Sequence, residues 1–240
     1  MGIDTRFFGP SGWQLFHLIS FRPHAAPVLE LMKDVLPCKF CRASTTEFVE
    51  KHPLHGNAAK WLYEIHNMVN DKLRTQCAKD PAVPNPGEDP SFEHVKETYE
   101  RLLSHKPTAV PGRDFLFAIA RNYPEEPEEV PAWSALQKDF LHKLSRVYPF
   151  EASTFQTYLG THPVDLRSRT HYMRWMYGLL KTISKKVHVG IPSFRGYAHH
   201  VSYYKSGCAK KTYHGKTCRN GTKVRDHGKT KRIVHNRLLL

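Results

Sequence analysis

Long apolar runs are missing from this 240-residue chain. No stretch approaches the roughly 20 consecutive apolar residues that a membrane-spanning helix needs, and no basic segment followed by an apolar one opens the sequence. Neither a transmembrane span nor a secretory leader is expected. Cysteine is scarce: Cys38, Cys41, Cys77, Cys208 and Cys218 are too few and too scattered to staple a small secreted scaffold. No second Cys/His pair lies at zinc-finger distance from Cys38 and Cys41, so no metal site is expected there. The strand–helix–strand alternation of a thioredoxin-like reductase is absent too. Acidic residues almost vanish near the C-terminus: from His188 onward twelve Lys/Arg face one acid, Asp226. That segment therefore carries about +11 of the net +14, leaving about +3 for everything before it.

What the chain does have is helical periodicity with short connections, which points to an all-α fold. Gly9-Pro10-Ser11-Gly12 reads as a turn, with Ser11 as N-cap of a helix from about Trp13 to Phe21. Further helices are expected at about 28–35, from Pro37 to about Glu50, and from about Ala58 to Gln76. Together these four form a small bundle, residues 1–79. Residues 80–91 are dense in Pro, Gly, Asn and Asp and read as a linker. Helical patterns resume at about 92–103, 113–122, 132–147, 153–159 and 165–186, within a second helical domain at 92–188. Residues 189–240 read as a basic, partly flexible tail.

Two stretches carry chemistry. In Leu36-Pro37-Cys38-Lys39-Phe40-Cys41, two thiols separated by two residues can cycle between dithiol and disulfide. A proline before the first places Cys38 near a helix N-terminus, where the dipole favours thiolate. In the helix from Trp61 to Asn70, Trp61, Ile65 and Val69 line one side, while Leu62, His66, Asn70 and Leu73 form a neighbouring stripe. Two amides and an imidazole beside a core-facing stripe are costly to bury without partners, so something polar and flat is expected to receive them.

Trp13-Gln14-Leu15-Phe16-His17, the Pro-Cys-x-x-Cys helix start and Trp-Leu-x-x-x-His-Asn-x-Val-Asn, in this order and spacing over about residues 5–77, resemble the Erv/Alr FAD-linked sulfhydryl oxidases. The wording around Cys38 and from His66 to Arg74 is most similar to the versions carried by large cytoplasmic DNA viruses. The resemblance implies an FAD-dependent thiol oxidase that forms disulfides in thiol-containing protein substrates. Cys38 exchanges with incoming thiols, Cys41 lies against the flavin, and oxygen takes the electrons as hydrogen peroxide. It further implies FAD contacts at Gly9, Trp13, His17, His66, Asn67, Val69, Asn70, Lys72 and Arg74, and a location in the host cytoplasm or the virion. This sequence departs from the family at three places: Leu73-Arg74-Thr75 replaces a Leu-Gly-Lys end, Tyr63 stands where many relatives have a bridged cysteine, and Pro10 stands where cellular members often have Arg.

Family members commonly use a second disulfide as a shuttle, and Cys208 and Cys218 are candidates by position. A structural bridge, or a zinc site with His214 and His227, remain alternatives. Cys77 has no evident partner.

The second half repeats the first in outline. Trp175, Tyr177 and the apolar spacing of 175–186 match 61–72, with Leu180, Lys181 and Ser184 in place of His66, Asn67 and Asn70. Phe150 and Ser153 stand for Cys38 and Cys41, Ala118 for His17, and His162-Pro163 echoes His52-Pro53. Residues 100–188 thus read as a degenerate copy with its chemistry removed. Family members form homodimers, and such a copy can take the partner's place, giving a homodimer or an intramolecular pseudo-dimer.

The competing reading is a catalytically silent scaffold that binds nucleic acid or an acidic virion protein through the tail, where Tyr197, Tyr203, Tyr204 and Tyr213 interleave with cations. Retention of the cysteines, His66, Asn67 and Asn70 in one copy alone favours the enzyme.

Overall fold

The computed structural model describes residues 3–80 and 83–204. Cys208, Cys218, His214, His227, Tyr213 and the cations from Lys205 onward lie outside the described residues. Among the described residues the fold is all-helical, with no β-strand, as the periodicity predicts. None of the described helices is long and apolar enough to cross a membrane.

Helix α1 spans Thr5–Ser20, beginning well before Trp13. Asp4, not Ser11, is its N-cap, accepting from the Arg6 amide at 2.8 Å. The Gly-Pro-Ser-Gly stretch that reads as a turn is helical. Burial explains this: a proline inside a helix costs about 3 kcal/mol, whereas Phe7, Phe8, Leu15, Phe16 and Ile19, on both sides of Pro10, are all buried, each worth about 1.5–3 kcal/mol. The helix expected at 28–35 is split into α2 (Ala26–Leu29) and α3 (Met32–Val35). Helix α4 (Lys39–Lys51) carries the cysteine motif and α5 (Ala58–Cys77) the polar stripe. Then come α6 (Phe92–Ser104), α7 (Arg113–Arg121), α8 (Val130–Val147), α9 (Ala152–Thr161), α10 (Arg169–Lys186) and α11 (Phe194–Ser202).

Two expected boundaries differ. Helix α6 packs on α1 and α5, where Val95 and Tyr99 close a small core with Leu18. It thus sits with the first-half helices, although the sequence reading places it after a linker. Helix α11 lies inside the segment read as tail, and its Tyr197 and Val201 are buried. The cations that mark this segment as a tail lie almost wholly beyond the helix, which itself holds one, Arg195.

The two halves share local geometry. Trp61 donates its indole N–H to the His52 carbonyl at 2.7 Å, and Trp175 donates to the His162 carbonyl at 2.9 Å. The Tyr63 hydroxyl donates to the Pro90 carbonyl and the Tyr177 hydroxyl to the Pro192 carbonyl, both at 2.8 Å. Leu36 before Pro37 has φ −57°, ψ 131°, and Tyr148 before Pro149 has φ −58°, ψ 132°; a following proline excludes the helical region and stops α3 and α8 alike.

The larger hydrophobic core runs through both halves, which join where α1 meets α7. That contact is reciprocal. Gly12 of α1 lies against the Phe115 ring, and Gly112, in the left-handed region at φ +69°, lies against Leu15. Ser11 does cap a helix, but α7: its Oγ accepts from the Asp114 amide at 3.1 Å and the Phe115 amide at 3.5 Å.

Candidate active site

Cys38 is itself the N-cap of α4, so the helix opens at Lys39, two positions later than the expected start at Pro37. Its backbone is extended and its Sγ accepts from the Cys41 amide at 3.3 Å. The Cys41 side chain, the Cys41 and Phe40 amides and the nearby Arg42 charge outweigh burial and bring the Cys38 thiol down to about 7. Arg42 is pinned there by donating to the Leu36 carbonyl at 2.6 Å. Cys38 is only 2% exposed, whereas Cys41 is half-buried. Thiolate character thus belongs to the first thiol and accessibility to the second.

The aromatic residues of α1 and α5 come together across the helix contact. His17 Nε2 lies 3.0 Å from His66 Nδ1. Trp13 stacks on the His66 ring with centroids 3.8 Å apart and planes 11° from parallel. On its other side His17 stacks on Tyr99 of α6 at 4.8 Å. His17 is fully buried, so desolvation, reinforced by His66, holds its pKa well below the ordinary range. Desolvation lowers His66 as well, to about 3. Two neutral imidazoles follow, one donating to the other. His17 Nδ1 is buried without a hydrogen-bond partner.

Further along α5, Lys72 donates to Ser44 Oγ, and Ser44 donates to the Phe40 carbonyl at 2.7 Å, tying α5 to the first turn of α4. Asn70 and Arg74 instead meet Asp89, on the segment before α6. Arg74 also donates to Asp71 at 2.6 Å and to the Gly87 carbonyl at 2.7 Å, and these carboxylates raise its pKa. Its fork is fully engaged, unlike that of a cation waiting for phosphate. Asn67 and Val69 are half-buried on the same helix, and Gly9 sits in α1 with open space around it.

Residues 10–85 match the model of the Erv1 / Alr family. The match covers about a third of the chain and encloses every predicted cysteine and cofactor residue of α1, α4 and α5 except Gly9. No curated protein and no solved structure matches the chain. The family is known for FAD-linked sulfhydryl oxidase activity. Its region here contains the aromatic stack of Trp13, His66 and His17, the low-pKa Cys38 and the Lys72–Ser44 link. Three residues of the site escape sequence reading: Tyr99, Ser44 and Asp89. Tyr99 and Asp89 lie beyond the Erv1 / Alr match, and only the recurrence of Pro-Ser-Phe at 90–92 and 192–194 hints that the segment is more than a linker. Among the described residues no group of three or more His, Cys, Asp or Glu is placed to hold a metal ion.

Proposed function

We propose that this protein is an FAD-linked thiol oxidase whose redox pair is Cys38 and Cys41. The observation that carries the proposal is the buried, unpartnered Nδ1 of His17 beside the Trp13–His66 stack. A lone buried polar atom next to a flat aromatic wall suits a planar heterocycle with hydrogen-bonding edges. The donor set agrees: neutral imidazoles and amides from His66, Asn67 and Asn70 recognise uncharged polar groups, and Lys72, whose ammonium is held by the Ser44 hydroxyl, suits a pyrophosphate.

A substrate dithiol attacks the Cys38–Cys41 disulfide, and a mixed disulfide forms as the other sulfur leaves. The second substrate thiolate resolves it, so the substrate is oxidised to a disulfide and the pair reduced to two thiols. Stabilisation of Cys38 as thiolate by the Cys41 side chain and by the α4 amides favours that exchange near neutral pH. FAD, when bound, supplies the two-electron acceptor that restores the disulfide and passes the electrons to oxygen as hydrogen peroxide. Trp13, His17 and His66 hold the cofactor and exclude water. The second half, joined to α1 by the reciprocal glycine contacts, takes the place of a partner subunit.

The test is the visible spectrum of the purified protein before and after a dithiol is added in air. A flavin spectrum that bleaches and recovers while oxygen is consumed supports the proposal, and Cys41→Ser should keep the colour and lose turnover. A colourless protein that takes up no added FAD overturns it.

A further inference from the structure

The segment between α5 and α6 is laid along one face of α5. The Tyr63 hydroxyl donates to the Pro90 carbonyl, Asn70 Nδ2 donates to Asp89 Oδ1 at 2.7 Å, and Arg74 Nη2 donates to Asp89 Oδ2 at 2.6 Å. Positions 63, 70 and 74 share that face by helical spacing. A carboxylate accepts and never donates, so Asp89 compels the Asn70 amide to turn its NH2 toward the segment. The Asn70 carbonyl oxygen is thereby directed away from Asp89, as an acceptor.

The second half serves as an internal control. There the Tyr177 hydroxyl meets Pro192, and the Tyr177 and Phe194 rings lie 5.5 Å apart, as Tyr63 and Phe92 lie 5.6 Å apart. The attachment of the segment is thus kept. Counting back from Pro192, and along α10 to just past its end, the positions of Asp89, Asn70 and Arg74 hold Ile191, Ser184 and His188. Holding the segment down therefore needs only the tyrosine and the proline carbonyl. The carboxylate, amide and guanidinium are found together in the half that also has the cysteines and the histidine pair.

We infer that Asp89 is a positioning residue of the cofactor site: it fixes the Asn70 amide so that its oxygen accepts from a donor on the adenosine half of FAD, an exocyclic amine or a sugar hydroxyl. This rests on the proposed FAD site. The test titrates FAD into flavin-free full-length protein, following flavin fluorescence, for wild type, Asp89→Asn, Asp89→Ala and Tyr63→Phe, with thermal melting of each flavin-free protein. Both Asp89 variants should bind FAD about tenfold more weakly, as expected for loss of one charge-assisted hydrogen bond, while melting within about 4 °C of wild type because the ion pair is partly exposed. Tyr63→Phe, which loosens the same segment without touching Asn70, should bind FAD nearly as well as wild type. Unchanged affinity in the Asp89 variants overturns the inference alone, as does an equal loss in Tyr63→Phe. Absence of FAD uptake by wild type overturns the proposed function and this inference with it.

Discussion

His17 Nε2 and His66 Nδ1 lie 3.0 Å apart, with Trp13 covering one ring and Tyr99 the other. Charging either ring would place a charge under apolar cover, so both are held neutral. In the unfolded chain each binds a proton near its ordinary pKa of about 6.5. The unfolded state therefore takes up more protons as pH falls below about 6.5, and the folded state loses stability in that direction. Flavin-free protein should lose up to about 1.4 kcal/mol per pH unit from each of the two rings on acidification. Double replacement by the second-half residues, His17→Ala with His66→Leu, should flatten the curve. Chemical denaturation between pH 7 and pH 5 measures both.

Cys38 titrates with the same sign, because its folded-state pKa is depressed as well. Its thiol is lowered to about 7, chiefly by the Cys41 side chain. Ultraviolet thiolate absorbance of the reduced protein should show a transition near pH 7 that disappears in Cys38→Ser. Cys41→Ala should move it upward. Because the folded pKa is depressed, this group stabilises the reduced protein fully above its unfolded pKa of about 8.5, and the contribution is lost as pH falls toward 7.

Of the two cations expected at the phosphates, Lys72 should matter more for direct binding. Arg74 is saturated by Asp71, Asp89 and Gly87, whereas Lys72 donates to one hydroxyl. Lys72→Met should weaken FAD binding about tenfold and reduce its salt dependence, as removal of a charge-assisted contact does. Fluorescence titration at low and high salt measures it.

At the junction of the halves, Gly112→Ala should destabilise by about 2 kcal/mol or more. The added methyl would lie 2.4 Å from Leu15 Cδ2 in a left-handed backbone at φ +69°. Trp61→Phe and Trp175→Phe should each cost about 1–2 kcal/mol, because each strands the carbonyl of the histidine before a proline. Urea unfolding of the three variants provides the comparison.

Sequence reading fared best where one helix carries its own signal. The 3.6-residue stripe of Trp61, Ile65 and Val69 places α5 to within a residue or so at each end. It fared worst where tertiary burial overrides local chemistry. Gly-Pro-Ser-Gly is turn composition, yet buried Phe7 and Phe8 carry the helix through it. Tyr99 reaches His17 across an interval of 82 residues, and no periodicity reports a contact between helices so distant in the chain. Asp89 sits in a stretch whose prolines and glycine spell linker, while its hydrogen bonds belong to α5.

Ser11, Gly12 and Gly112 together make α1 and α7 fit each other inside one polypeptide. A pair of separate chains joined at such a face would come apart on dilution. Here the tether keeps the effective concentration of one half around the other independent of how much protein is present. A fragment ending at residue 104 would lack α7, leave Leu15 and Phe16 without their cover, and bring that dependence on concentration back.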